Sequence, residues 1–151
     1  MARRNKSKGV KVKVEPSIRK QPKVASGPSS FNDRKAAWRI SHLEMEAPYG
    51  WQEVDLKTFA FIRSKLAAFE SMTWNQIIVE GKKHHHSIPV DEIVKSARER
   101  LEAINQDDTD VLVSLRLSAK SRVWGILEEG VLRLLWWDPN HEICPSKKKN
   151  T

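Results

Sequence analysis

The 151 residues carry 27 Lys and Arg against 19 Asp and Glu, a formal charge of +8, and a chain of that length amounts to one domain. Its single cysteine, Cys144, excludes an internal disulfide and a cysteine-based zinc centre. No long apolar run is present, which excludes a membrane-spanning helix, and no secretory signal follows the basic start, so the cytoplasm is the expected compartment.

The charge is unevenly placed. Up to Lys23 there are nine Lys and Arg against one acid, Glu15. The 27 basic residues less these nine leave 18, matched by 18 of the 19 acids, so the rest of the chain is neutral. Residues 1–33 lack apolar periodicity and contain Pro16, Pro22 and Pro28. Such a segment buries too little apolar surface to offset its ordering entropy, which predicts a disordered basic arm. An arm of this kind suits a polyanionic partner through counterion release, although basic tails also serve solubility alone. A single domain is expected over 34–146 and a basic tail over 147–151.

From Ala37 the pattern changes. Trp38 to Leu43 reads as a short strand with Trp38, Ile40 and His42 on one face. Pro48, Tyr49 and Gly50 make a turn. Asp55 is a plausible N-cap, and Phe59, Ile62, Leu66 and Phe69 recur at helical spacing, predicting a helix to Glu70. Thr73 and Gln76 fit a capping box for a short helix through Ile78, ended by Gly81. Lys82 to His86 is expected as a loop. A second helix is expected from Pro89 to Asn105, with Val90, Ile93, Val94, Ala97, Leu101 and Ile104 as its buried stripe. The period then switches to two: strands over Val111 to Leu117, Arg122 to Leu127 and Val131 to Trp137, the last almost wholly apolar and therefore central. The expected class is α+β, helices followed by an antiparallel meander.

Several residues are candidates for chemistry. Three consecutive histidines, His84 to His86, rarely all point at one ion, so no metal site is expected, and no cofactor motif is present. Lys82, Lys83 and His85 suit phosphate contact in a solvated loop. Arg116 and Arg122 bracket the first hairpin, with Lys120 in its turn. Arg133 sits inside an apolar strand and must reach solvent, a carboxylate such as Glu128, or a ligand phosphate. Of Trp136 and Trp137, adjacent residues facing opposite ways, one belongs to the core and the other is free to stack on a base. His141 follows a turn at a sheet end. Nucleotide-hydrolase loops, serine-hydrolase elbows and paired carboxylates are missing.

Two resemblances follow from these residues. Ala37-Trp38-Arg39, Tyr49-Gly50-Trp51, Thr73-Trp74-Asn75, Leu112 to Ser118, Arg122 to Ile126 and Leu135 to His141 resemble a family of small bacterial proteins of uncharacterised activity. From Pro89 to Ile143, the order of helix, Arg-rich hairpin, apolar strand and late histidine resembles RelE/YoeB-type toxins. That resemblance implies a RelE-like fold and a metal-independent endoribonuclease that cleaves messenger RNA at the ribosome, restrained by an antitoxin. It implies Arg116 or Arg122 as the group stabilising phosphorane-like charge, His141 as general acid, and Lys120 as a backbone contact. The competing expectations are a non-enzymatic RNA- or ribosome-binding module, with Arg133 and Trp137 as contacts, and a protein-interaction factor in which the Trp-rich sheet is core and interface.

Overall fold

A computed structural model describes residues 31–145. Most of the predicted basic arm and the 147–151 tail lie outside that range. The domain is α+β and consists of a five-stranded mixed sheet with helices against both faces. Its elements are β1 (Ala37–Arg39), α1 (Leu56–Phe69), a π-helix (Asn75–Glu80), β2 (His86–Pro89), a 3-10 turn (Val90–Glu92), α2 (Lys95–Ala103), β3 (Val111–Arg116), β4 (Arg122–Glu128) and β5 (Val131–Asp138). The sheet order is β1-β5-β4-β3-β2. Strands β2 to β5 form an antiparallel meander, and β1 adds in parallel to β5. The expected all-antiparallel meander is therefore corrected to a mixed sheet.

Local chemistry accounts for most elements. Asp55 caps α1, accepting the Thr58 N–H at 2.7 Å, which satisfies one of the donors a helix start leaves open. The capping box is reciprocal: Thr73 N–H donates to Gln76 Oε1 at 2.9 Å, and Gln76 N–H donates to Thr73 Oγ1 at 3.3 Å. The helix it opens widens to π geometry, with Gly81 N–H reaching Gln76 O at 3.0 Å.

Three expectations need correction. Strand β1 stops at Arg39, where the chain turns with Leu43 N–H donating to Ile40 O, so Ile40 stands 67 % exposed rather than packed beside Trp38. The predicted 82–86 loop ends in an edge strand at His86. Pro89 closes that strand instead of opening a helix, a place where its missing N–H costs no ladder bond. The second helix accordingly starts at Lys95, after a break in which Val94 N–H bonds Ile143 O. Its predicted stripe still faces the core: Ile93, Ala97 and Leu101 are buried, and Val90, Val94 and Ile104 pack around them.

The sheet separates two cores. One face packs Val113, Leu115, Val123, Leu132, Leu134 and Trp137 against α1 and the π-helix through Ile62, Phe69, Trp74 and Ile77. The other packs Leu112, Trp124, Ile126, Leu135 and Trp136 against α2, Tyr49 and Ile143. Strand β5 is paired on both edges and covered on both faces, which is why it reads as an apolar run. Trp74 is fully buried and its indole N–H donates to Gly130 O at 2.7 Å; truncating it to Ala removes about 3–5 kcal/mol of burial and packing.

Candidate anion-binding site

The α2-side face of the sheet is apolar in its middle and polar at both ends, and the two polar ends differ. At one end β2, β3 and β4 contribute His86, Ser114, Arg116 and Arg122, and the segment after β5 folds over them. Lys83, His84, His86, Ile88, Ser114, Arg116, Arg122, His141, Cys144 and Pro145 line a cleft of about 290 Å³. Among the described residues its lining includes no carboxylate.

Arg122 is the centre of this arrangement. Its side chain is confined by the turn that precedes it, where Ser121 N–H donates to Ser118 Oγ and the two hydroxyls lie 2.6 Å apart. Nη1 donates to the carbonyls of Ser118 and Ser121, each at 3.0 Å, and to that of Ala119 at 3.5 Å. Arg122 is only 7 % exposed, yet no carboxylate comes within ion-pair distance of it among the described residues. Its nearest cross-strand neighbour in register on β3 is Arg116, another cation. Burial and Arg116 both work against the Arg122 charge, and Asp138, its register partner on β5, supports it without an ion-pair contact. Asp138 is itself buried and occupied: its carboxylate accepts the Glu142 and Ile143 N–H groups and the Trp124 indole. Like charges paired across strands and a buried cation without a counter-ion both cost stability unless an anion joins them.

The histidines divide between the two faces. His85 turns to the other face, edge-on to Phe69 at 5.0 Å, and its Nδ1 accepts the Arg116 N–H at 3.1 Å. Burial, then the neighbouring His84 and His86, lower its pKa to about 4, so it is a neutral structural acceptor. His84 and His86 stay on the cleft side. Nδ1 of His84 lies 3.2 Å from Nη1 of Arg116, and since a guanidinium only donates, His84 accepts there and helps fix the arginine, whose Nε bonds Ser118 O at 3.1 Å. His141 enters from a turn in which it holds φ +58, in the left-handed region. Burial foremost, then Arg122, lowers the pKa of both His86 and His141; for His141 the Asp138 carboxylate opposes the shift.

The structure thus brings Arg116, Arg122, His141 and Lys83 together with His84 and His86 of the triple histidine and with Ser114, which sequence reasoning did not single out. Lys82 and Lys120 are exposed and are not among the cleft-lining residues. Arg133 lies at the other polar end. Its Nη2 donates to Glu128 Oε1 at 2.9 Å and to Gln106 Oε1 at 3.2 Å, in a hollow also lined by Asp108 and Asp110. It is an ion-paired arginine remote from the cleft. Trp137 is 9 % exposed, packed on Trp51 with ring centroids 6.1 Å apart, and Trp136 is buried on the opposite face with its indole N–H on Glu44. Both tryptophans are core, because both sheet faces are covered, and the expected stacking platform is not formed by either. Arg133 also does not share a face with Trp137: a bulge opposite Trp124 and Gly125 inserts Leu135 and inverts the alternation.

Among the described residues no three His, Cys, Asp or Glu side chains are grouped to hold a metal ion, and no helix is long and apolar enough to cross a membrane. Comparison of the chain with protein families, with curated proteins and with solved structures gives no match.

Proposed function

We propose that the chain acts on RNA in the cytoplasm, as a RelE-like endoribonuclease whose scissile phosphate sits between Arg116 and Arg122. The observation that carries this reading is the buried Arg122, which has no carboxylate within ion-pair distance among the described residues and faces a second arginine in a cleft edged by Lys83 and three histidines. A bound phosphodiester supplies the missing negative charge. Attack of the 2′-hydroxyl on that phosphate builds charge on the non-bridging oxygens, where preorganised guanidinium donors are most effective. His141 delivers a proton to the leaving 5′-oxygen. This scheme draws its charge stabilisation from arginine and needs no metal. Ribosome-held messenger RNA is the proposed substrate, and an antitoxin would restrain the enzyme by covering the same cleft.

Incubating purified protein with labelled messenger RNA in EDTA, with and without ribosomes, tests the proposal. Cleavage by the wild type that disappears in Arg122→Ala and His141→Ala is the expected result. Cleavage unchanged in both variants overturns the assignment of the site. Binding without cleavage leaves a phosphate-binding RNA module in place of an enzyme.

A further inference from the structure

Transesterification of RNA needs two proton transfers, one from the attacking 2′-hydroxyl and one to the leaving 5′-oxygen. We infer that His86 is the second proton-transfer residue of this cleft, the general base that takes the 2′-hydroxyl proton while His141 serves as the acid. The inference rests on the ribonuclease reading above and adds to it a residue and a division of roles.

Elimination among the histidines supports the choice. His85 points to the opposite face and is committed to the Arg116 N–H. His84 accepts from the Arg116 guanidinium and is a positioning residue. His86 lines the cleft, and its imidazole makes no hydrogen bond among the described residues, so both ring nitrogens are available. It stands at the start of edge strand β2, opposite Ser114 in register. The groups around it are Ser114 and Arg116 from β3, Arg122 from β4, Lys83 and His84 from the preceding loop, and His141 and Cys144 from the segment after β5. None is a carboxylate, so nothing lining the cleft favours an imidazolium there.

Asp138 separates the two roles. It lies three residues before His141, and its carboxylate holds the turn that follows through the Glu142 and Ile143 N–H groups. Its charge favours a proton on His141, against the burial and the Arg122 charge that disfavour one on both rings, and it is absent from the influences on His86, where burial, Arg122 and His84 all lower the pKa. A neutral His86 and a protonated His141 are the forms that the reaction requires. In the step, the O2′ proton passes to His86 and O2′ bonds to phosphorus. The P–O5′ bond breaks, and its electron pair takes the proton of His141. The products are a 2′,3′-cyclic phosphate and a 5′-hydroxyl end, and exchange with water resets both rings.

The test is the pH dependence of RNA cleavage by the full-length chain, in the format in which the wild type cleaves, beside cleavage of uridine 3′-(4-nitrophenyl phosphate), whose leaving group departs without a proton. The wild type is expected to give a bell-shaped profile. His86→Ala and the more conservative His86→Asn should each lose about 10²–10⁴-fold in rate on both substrates and lose the acidic limb. His141→Ala should lose the alkaline limb on RNA and recover on the nitrophenyl ester. His42→Ala, at an exposed residue outside the cleft, should match the wild type. A His86→Asn protein that melts like the wild type and keeps its acidic limb overturns the role of His86 while leaving the ribonuclease reading intact. A wild type that cleaves neither substrate overturns both.

Discussion

Arg122 and Arg133 occupy opposite ends of the same sheet face, on adjacent strands, and each is largely withdrawn from water. Arg133 is answered by Glu128 and Gln106 beside further acids. Arg122 is answered by three backbone carbonyls, and among the described residues no carboxylate comes within ion-pair distance, Asp138 acting on it only through its field. A carbonyl cage fixes a guanidinium in place without neutralising it, so the cage positions a charge that the carboxylate at the other end would quench. The company of an arginine, more than its burial, separates a site from a strut.

The largest effect should come from removing each arginine in turn. Arg122→Ala should lower kcat/KM for RNA about 10²–10³-fold, and Arg133→Ala should leave it within about threefold, as measured by initial rates at fixed salt. Next, inorganic phosphate at about 100 times its dissociation constant should stabilise the wild type by about 2.7 kcal/mol in thermal melts. That gain should vanish in Ser114→Asp, which places a carboxylate in the cleft and makes the Arg122 end resemble the Arg133 end. A phosphate shift that survives Ser114→Asp breaks the comparison.

A pH effect follows from His85. Its folded pKa of about 4 lies below its ordinary 6.5. Between those values the unfolded chain binds the extra proton, so stability should rise with pH from 4 to 6.5 and then level off. His86 and His141, whose pKa values are also lowered, add to the same slope. Melts of His85→Gln across that range should show a shallower rise than the wild type. The smallest effect belongs to Glu128→Gln, which removes a partly exposed ion pair and should cost about 0.5–1 kcal/mol with no change in RNA cleavage.

How much of this was legible in the sequence depended on whether the signal was local. The Asp55 cap, the Thr73 capping box and the period-two runs of β3 to β5 are short-range patterns, and each appears in the structure. The parallel pairing of β1 with β5 joins residues far apart in the chain, and no local period announces it. Leu135 shows the same limit at smaller scale: one bulged residue sends Arg133 and Trp137 to opposite faces, and an apolar run hides it. In the sequence His86 reads as loop because charge and histidine mask a strand whose other residues are Ser87, Ile88 and Pro89. Once β2 is in place, alternation puts His86 on the cleft side, whereas His84 and His85 precede the strand and are placed by their contacts with the Arg116 guanidinium and Phe69. The pairing of Arg116 with Arg122 was readable from the hairpin; the missing counter-ion was not, since it depends on where every carboxylate of the fold comes to rest.

The central claim is that the Arg122 cleft holds a phosphate, and the most direct measurement is a titration of the full chain with inorganic phosphate, followed through the histidine ring signals by NMR. This readout reports on the cleft itself and is insensitive to polyanion contacts made by the basic N-terminal residues. The account predicts saturable shifts of the His86 and His141 rings in the wild type and in Arg133→Ala, and none in Arg122→Ala. Shifts that persist in Arg122→Ala, or a wild type whose cleft histidines do not respond, would contradict it.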